Sequence, residues 1–218
     1  MCMKKTVKGV LFDLDGTLIN FVINYHTAKK KVQQLVNSSG TGLESSDKMT
    51  LYSLLGASKT RLKAPAYTTL RRKIFEVMTT YEVDAARRTK LLPGVLVTLQ
   101  QLKQREMKIG IVTNNGHAAT DVVLNRFGLH KLVDLVLTRD DVEEMKPHPG
   151  IMISALEKLK LRPEETIVVG DSTADVIAAR GASIDPVAIT TGPSDSSALM
   201  QAHPRQVISR IKDVLDIV

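Results

Sequence analysis

Short apolar runs that end on polar or small residues recur along this chain, separated by longer stretches with helical spacing. Gly9 to Phe12 runs into Asp13, Ile109 to Val112 into Thr113 and Asn114, and Leu132 to Leu137 into Thr138. Ile167 to Val169 runs into Gly170 and Asp171, and Val187 to Ile189 into Thr190. Between them, Val95 to Arg105 sets Leu96, Leu99 and Leu102 three apart, and Ile151 to Lys160 gathers Ile151, Ala155, Leu156 and Leu159 on one helical face. Pro93 and Pro149 stand at helix heads, and Gly128 follows a helix end. Strands alternating with helices of this length predict βαβ units and an α/β fold, with a doubly wound, mainly parallel sheet as a Rossmann-like core.

One stretch breaks the alternation. From residue 21 to residue 90 helical periodicity continues without a convincing strand, interrupted by the loop Asn37 to Gly42 and again near Pro65. This predicts an all-helical domain over 21–90, inserted into a discontinuous core made of 1–20 and 91–218. Charge divides the chain the same way. Of 30 Lys+Arg and 23 Asp+Glu, formally +7, the insertion holds 13 basic and 5 acidic residues, and the rest holds 17 and 18. A basic excess of this kind suits an anionic partner, although a run such as Lys29-Lys30-Lys31 is also what a solvated helix face shows. That partner could be nucleic acid, a membrane surface or a phosphorylated small molecule; four Tyr, four Phe and no Trp argue only against a base-stacking platform for single strands.

The remaining composition narrows the class. At 218 residues and 43% hydrophobic the chain can bury a substantial core, which excludes a disordered protein. Cys2 has no second cysteine to pair with in the chain, which fits a reducing compartment. Lys4, Lys5 and Lys8 precede only a few apolar residues before Asp13, so no signal-peptide core is expected. No run approaches the ~20 apolar residues of a membrane span. The expectation is a cytoplasmic protein with no membrane partner.

The strongest chemical signal is Leu11-Phe12-Asp13-Leu14-Asp15-Gly16-Thr17-Leu18. Two carboxylates two residues apart at a strand end can both face the crevice above the sheet's carboxyl edge. That concentration of negative charge calls for a cation, and hard oxygen ligands suit Mg²⁺, which is often held by few carboxylates together with a substrate phosphate. Gly16 lets the chain turn sharply, and Thr17 is expected to cap the turn. A bare DxD is often no more than an acidic loop, but the other strand ends change its reading. Thr113-Asn114 offers a hydroxyl and backbone N–H groups just before a helix near His117, a seat for phosphate. Gly170-Asp171-Ser172-Thr173-Ala174-Asp175 adds two carboxylates, and Lys146-Pro147 places an ammonium in the loop before the helix near Pro149. Gly40 and Gly42 follow no strand, and no GxxxxGK[ST] occurs, so neither a dinucleotide fingerprint nor a P-loop is expected.

In this order and at these strand ends, the four pieces resemble the four motifs of the haloacid dehalogenase superfamily, closest to its phosphoglycolate phosphatase-like branch. Leu92-Pro93-Gly94-Val95, Phe127-Gly128-Leu129, Lys146-Pro147-His148-Pro149 and Ala178-Ala179-Arg180-Gly181-Ala182 extend the likeness to essentially the whole chain outside the insertion. The resemblance implies that the insertion is a mobile cap and that Asp13 is the nucleophile, forming an aspartyl-phosphate. Asp15 would be the general acid and then the base. Mg²⁺ would be held by the Asp13 carboxylate, the Asp15 backbone carbonyl and Asp171. Thr113, Asn114 and Lys146 would bind the transferring phosphoryl oxygens, and Asp175 would orient Lys146 or a metal-bound water. His148 would have no catalytic role. An acid/base Asp15 marks phosphatases and mutases rather than dehalogenases. Where close relatives continue the first motif as DGTLVDS, this chain has Asp15-Gly16-Thr17-Leu18-Ile19-Asn20-Phe21. The implied activity is a Mg²⁺-dependent phosphatase of a small phosphorylated metabolite, working as a monomer or homodimer. Arg61, Lys63, Arg71 and Arg72 are candidates for reaching a second anionic group on the substrate. The alternatives are a phosphomutase of the same fold and a protein whose basic helical segment binds nucleic acid.

Overall fold

The structure is a computed structural model that describes residues 6–20, 22–46 and 49–218; Cys2, Lys4, Lys5 and Phe21 lie outside the described residues. Two compact units appear, Met1–Phe21 with Thr89–Val218, and Val22–Arg88.

In the first unit the apolar runs form strands β1 (Gly9–Phe12), β2 (Lys108–Val112), β3 (Leu135–Leu137), β4 (Thr166–Gly170), β5 (Asp185–Ile189) and β6 (Gln206–Ile208). Among the described residues these make one sheet in the order β3-β2-β1-β4-β5-β6, with every pairing parallel. The strand read as Leu132 to Leu137 is shorter than expected, because Leu129–Lys131 forms a 3-10 turn that closes Leu132 N–H onto the Leu129 carbonyl. The sixth strand has no counterpart among the expected runs, being a three-residue edge in which only Ile208 is buried.

Helices α4 (Val95–Gln104), α5 (His117–Phe127), α6 (Gly150–Leu159), α7 (Thr173–Gly181) and α8 (Ser196–Gln201) connect the strands; α1 to α3 belong to the second unit. Leu11, Val112 and Val168 pack in one buried cluster with Ile151, Met152, Ala155 and Leu156 of α6 and Ala178 and Ala179 of α7. Val10 and Phe12, which point to the other face by the two-residue period of a strand, are also fully buried. Covered faces explain why β1, β2 and β4 read as continuous apolar runs rather than alternating ones. The order 3-2-1-4-5-6 reverses at β1, and open sheets of this kind bind ligands outside the carboxyl ends of the strands at that reversal.

The second unit contains α1 (Tyr25–Asn37), α2 (Leu51–Arg61) and α3 (Ala64–Arg88), with no strand among its described residues. Ala28, Val32 and Val36 of α1 and Leu70, Ile74 and Met78 of α3 recur four apart and are buried, and α1 packs on α3. Pro65 lies in the first turn of α3, where its missing N–H costs nothing. Several basic residues of this unit have partners within it. Arg61 donates to the Gly42 carbonyl at 3.1 Å, Arg72 pairs with Glu76 one turn on at 2.5 Å, Lys31 lies over the Tyr81 ring and Arg71 over Phe75.

The chain leaves and re-enters the first unit along two segments pinned side by side. Asn20 Oδ1 accepts from the Thr89 hydroxyl at 2.9 Å and from Lys90 N–H at 2.7 Å, and Leu92 N–H donates to the Leu18 carbonyl. The departure at Asn20 from the DGTLVDS pattern thus has a structural use.

Candidate active site

Strand pairing places the site residues. Phe12 lies level with Ile111 on one side and Val169 on the other, so Asp13 emerges at the strand tips, its N–H still bonded to the Val169 carbonyl at 2.9 Å. Thr113 leaves β2 in the same way, bonded to the Leu137 carbonyl. Beyond Asp13 the chain turns back at once. Gly16 takes φ +80°, and the turn closes through backbone bonds from Gly16 to Ile19 and from Leu18 and Ile19 to Leu14. The expected Thr17 cap is absent: these backbone bonds close the turn without it, and the fully buried Thr17 hydroxyl has no hydrogen-bond partner among the described residues.

Lys146 is the centre of the polar network. Its Nζ donates to Asp13 Oδ1 at 2.6 Å, Asp175 Oδ1 at 2.6 Å and the Val112 carbonyl at 2.9 Å, so all three N–H bonds are used within the protein. Asp175 divides its carboxylate: Oδ1 holds Lys146, while Oδ2 accepts from Ser172 N–H and Oγ in a capping box that starts α7. Burial alone would lower the Lys146 pKa, but the Asp13 and Asp175 carboxylates outweigh it and hold the ammonium charged well above the ordinary lysine range.

Asp13, Asp171 and Asp175 bring carboxylate oxygens within 4.8 Å of one another, all buried. Burial pushes Asp13 up to about 7, against the Lys146 charge and helped by Asp175. It pushes Asp171 up to about 9, reinforced by Asp13 and Asp175. Three buried carboxylates facing one ammonium leave negative charge that only bound protons or a cation can offset. An all-oxygen donor set of this kind fits a hard divalent cation.

The loop after β5, beyond Thr190, closes against Asp171. Thr191 Oγ1 donates to the Gly16 carbonyl at 2.5 Å. A Cβ on Gly192 would stand 1.6 Å from Asp171 Oδ2, so no side chain fits while Asp171 keeps its place. Gly192→Ala is therefore expected to displace Asp171 and, if this carboxylate cluster holds a divalent cation, to weaken that binding by about 10–100-fold, the usual cost of disturbing a metal ligand's support. Calorimetric titration with Mg²⁺ measures this, and unchanged affinity would mean that the loop yields instead.

Asn114 and its neighbours make several bonds within the protein. The Asn114 side chain exchanges two bonds of 3.0 Å with the Lys146 backbone, tying the lysine loop to β2. Thr113 Oγ1 accepts from Asn115 N–H at 3.1 Å. The first N–H of α5, that of His117, is taken by Asp140 Oδ2 at 2.9 Å. A carboxylate thus already supplies the negative charge that this helix terminus favours. His148 Nδ1 accepts from Gly150 N–H outside this network.

Two residues were not singled out from the sequence. Asn115 Nδ2 donates to Asp15 Oδ2 at 2.5 Å. Arg139, with 1% of its surface exposed, donates from Nη1 to the Asn114 carbonyl at 3.0 Å and from its backbone N–H to the Asn115 carbonyl. It holds the 113–116 bend from beneath.

An aspartate at the tip of the first strand, at the reversal of a 3-2-1-4-5-6 sheet, bridged by a lysine to a second aspartate in the first turn of α7, agrees with what sequence comparison finds. The sequence model of the haloacid dehalogenase-like hydrolases matches residues 10–189, and the chain belongs to that family. It is 31% identical to the pyrophosphatase PpaX of Bacillus mycoides, over 97% of this chain and 96% of that one. It is 27% identical to the phosphoglycolate phosphatase of Photorhabdus laumondii, over 98% and 93%. The crystal structure of a predicted phosphoglycolate phosphatase from Haemophilus somnus superposes with a TM-score of 0.69 at 24% identity, covering 99% of both chains. Among the described residues no helix is long and apolar enough to cross a membrane.

Proposed function

We propose that this family member is a Mg²⁺-dependent phosphatase of small phosphorylated metabolites, with residues 1–20 and 91–218 as catalytic core and 21–90 as cap. The supporting observation is the buried Asp13–Lys146–Asp175 chain beside Asp171, with Asp15 two residues beyond Asp13. The relatives named pyrophosphatase and phosphoglycolate phosphatase make pyrophosphate and phosphoglycolate the first substrates to try.

Asp13 attacks phosphorus. As its O–P bond forms and the ester P–O bond breaks, Asp15 gives its proton to the departing oxygen. Asp15, now a carboxylate, takes a proton from the water that attacks the aspartyl-phosphate, and inorganic phosphate leaves with Asp13 restored. Lys146 favours the anionic form of Asp13 against its burial and offsets charge developing on the phosphoryl oxygens, with Thr113 and the Asn114 backbone beside it. Asp175 fixes where that ammonium points. Asp13, the Asp15 carbonyl and Asp171 would hold Mg²⁺, which when bound screens the anionic nucleophile from the anionic phosphate.

Phosphate release from a panel of phosphorylated metabolites, with Mg²⁺ and with EDTA, tests this reading. EDTA is expected to abolish release, and full activity in EDTA would overturn the metal assignment. A β-phosphoglucose substrate separates a mutase, which would isomerise it, from a phosphatase, which would release phosphate.

The metal should also show in stability. Without it, the folded-state pKa values of Asp13 (about 7) and Asp171 (about 9) lie above the ordinary value of 3.8. The folded protein then binds more protons than the unfolded chain between those limits, and its stability falls as pH rises from about 4 to about 9. Mg²⁺ replaces those protons, so the Tm gained from Mg²⁺ over EDTA is expected to be larger at pH 8.5 than at pH 6. Equal gains would contradict a site built on these two carboxylates.

A further inference from the structure

We infer that Asn115 is a positioning residue for proton transfer, holding the carboxyl of Asp15 in place for the leaving group; the inference rests on the phosphatase reading above. The two residues are 100 positions apart but meet because β1 and β2 are adjacent and parallel. The Asn115 backbone is clamped at both ends: its N–H donates to Thr113 Oγ1 at 3.1 Å and its carbonyl accepts from Arg139 N–H at 3.1 Å. The side-chain amide therefore projects from a fixed bend, and its Nδ2 reaches Asp15 Oδ2 at 2.5 Å.

The chemistry of the pair sets its role. An ionised carboxylate only accepts, so the amide must present its NH₂ group. That donor satisfies Oδ2 whether Asp15 is charged or neutral, and it directs the carboxyl proton to Oδ1. The bond thus favours one oxygen as the carrier of the proton and restrains the plane of the carboxyl. A neutral amide does this without adding charge beside the Asp13–Asp171–Asp175 cluster.

The test compares leaving groups. An alkoxide needs a proton to depart, whereas p-nitrophenolate leaves well without one. The measured quantity is kcat/KM, which ends at the first irreversible step, phosphoryl transfer to Asp13, so the later use of Asp15 as a base does not enter it. The alkyl ester is phosphoglycolate or glycerol 3-phosphate, whichever the wild type turns over faster.

Asn115→Ala is expected to lower kcat/KM on the alkyl ester by about 10²-fold, the lower end of general-acid contributions, and on p-nitrophenyl phosphate by less than about threefold. Asn115→Asp, isosteric but placing a like charge against Asp15, is expected to lose at least as much with the same selectivity. A purely structural role would lower both substrates alike, and equal losses in both variants would overturn the inference while leaving the phosphatase reading intact. A wild type that hydrolyses neither kind of ester overturns the phosphatase reading and this inference with it.

Discussion

Asp13→Asn is expected to abolish phosphate release, by about 10⁴-fold or more, because in the proposed mechanism it removes the nucleophile and stops the step that the rest of the site serves. The folded protein should survive the change. In the metal-free state Asp13 is held up to about 7 by burial, so at neutral pH it is already partly protonated, and asparagine resembles that neutral form in size and shape. The amide oxygen can still accept from Lys146 Nζ, which also keeps Asp175 and the Val112 carbonyl. Asp171 loses a repelling neighbour, since Asp13 is the largest charge raising its pKa after burial itself. In EDTA above pH 7 the variant is therefore expected to melt at or above the wild-type Tm, while the stabilisation by Mg²⁺ shrinks with the loss of a carboxylate ligand. Steady-state phosphate release and thermal melts with and without Mg²⁺ read all three effects. Near-wild-type turnover would remove Asp13 from the chemistry, and a collapsed fold in EDTA would mean that its charge is structural.

How far such a site can be read from sequence depends on whether backbone or side chains place each residue. Asp13, Thr113 and Asp171 were legible because each follows directly on a buried apolar run, and parallel pairing then brings the run ends together. Asn115 was not. In the run Thr113-Asn114-Asn115 the two amides look alike, and which one faces Lys146 and which faces Asp15 is decided by the bend that Thr113 and Arg139 impose. Arg139 itself is a charged residue in full burial, a placement that composition argues against and that the Asn114 carbonyl and the nearby Asp140 carboxylate help to offset. Gly192 was invisible for another reason: its importance is the space it leaves for Asp171, which no local pattern records. In the fold, β1, β2 and β4 were readable because both their faces are buried, whereas β6 has only Ile208 buried at an edge and shows neither alternation nor a run.

Lys146→Met should have the largest effect on stability. Methionine fills similar volume but removes an ammonium whose three hydrogen bonds all end on buried acceptors. Breaking a buried ion pair by deleting one partner costs about 3–5 kcal/mol, and here one deletion leaves two carboxylates and a carbonyl without their donor. The cost depends on pH in a determinate direction. Lys146 lowers the pKa values of both Asp13 and Asp171, so without it both carboxyls hold their protons to still higher pH. Protonation relieves the uncompensated charge, and the penalty is expected to be small near pH 5 and to grow as pH rises through 7 to 9. Mg²⁺ then becomes the remaining counter-charge, so it should recover more Tm in the variant than in the wild type at pH 8.5. Activity should not recover with it. The loss of about 10²–10³-fold expected for removing a preorganised positive charge persists in saturating Mg²⁺, because a cation held by Asp13 and Asp171 does not replace the ammonium bridging Asp13 to Asp175. Melting curves at pH 5, 7 and 8.5 in EDTA and in Mg²⁺, paired with phosphate release at saturating Mg²⁺, separate these effects. A pH-independent Tm deficit would show that methionine fails by packing rather than by charge.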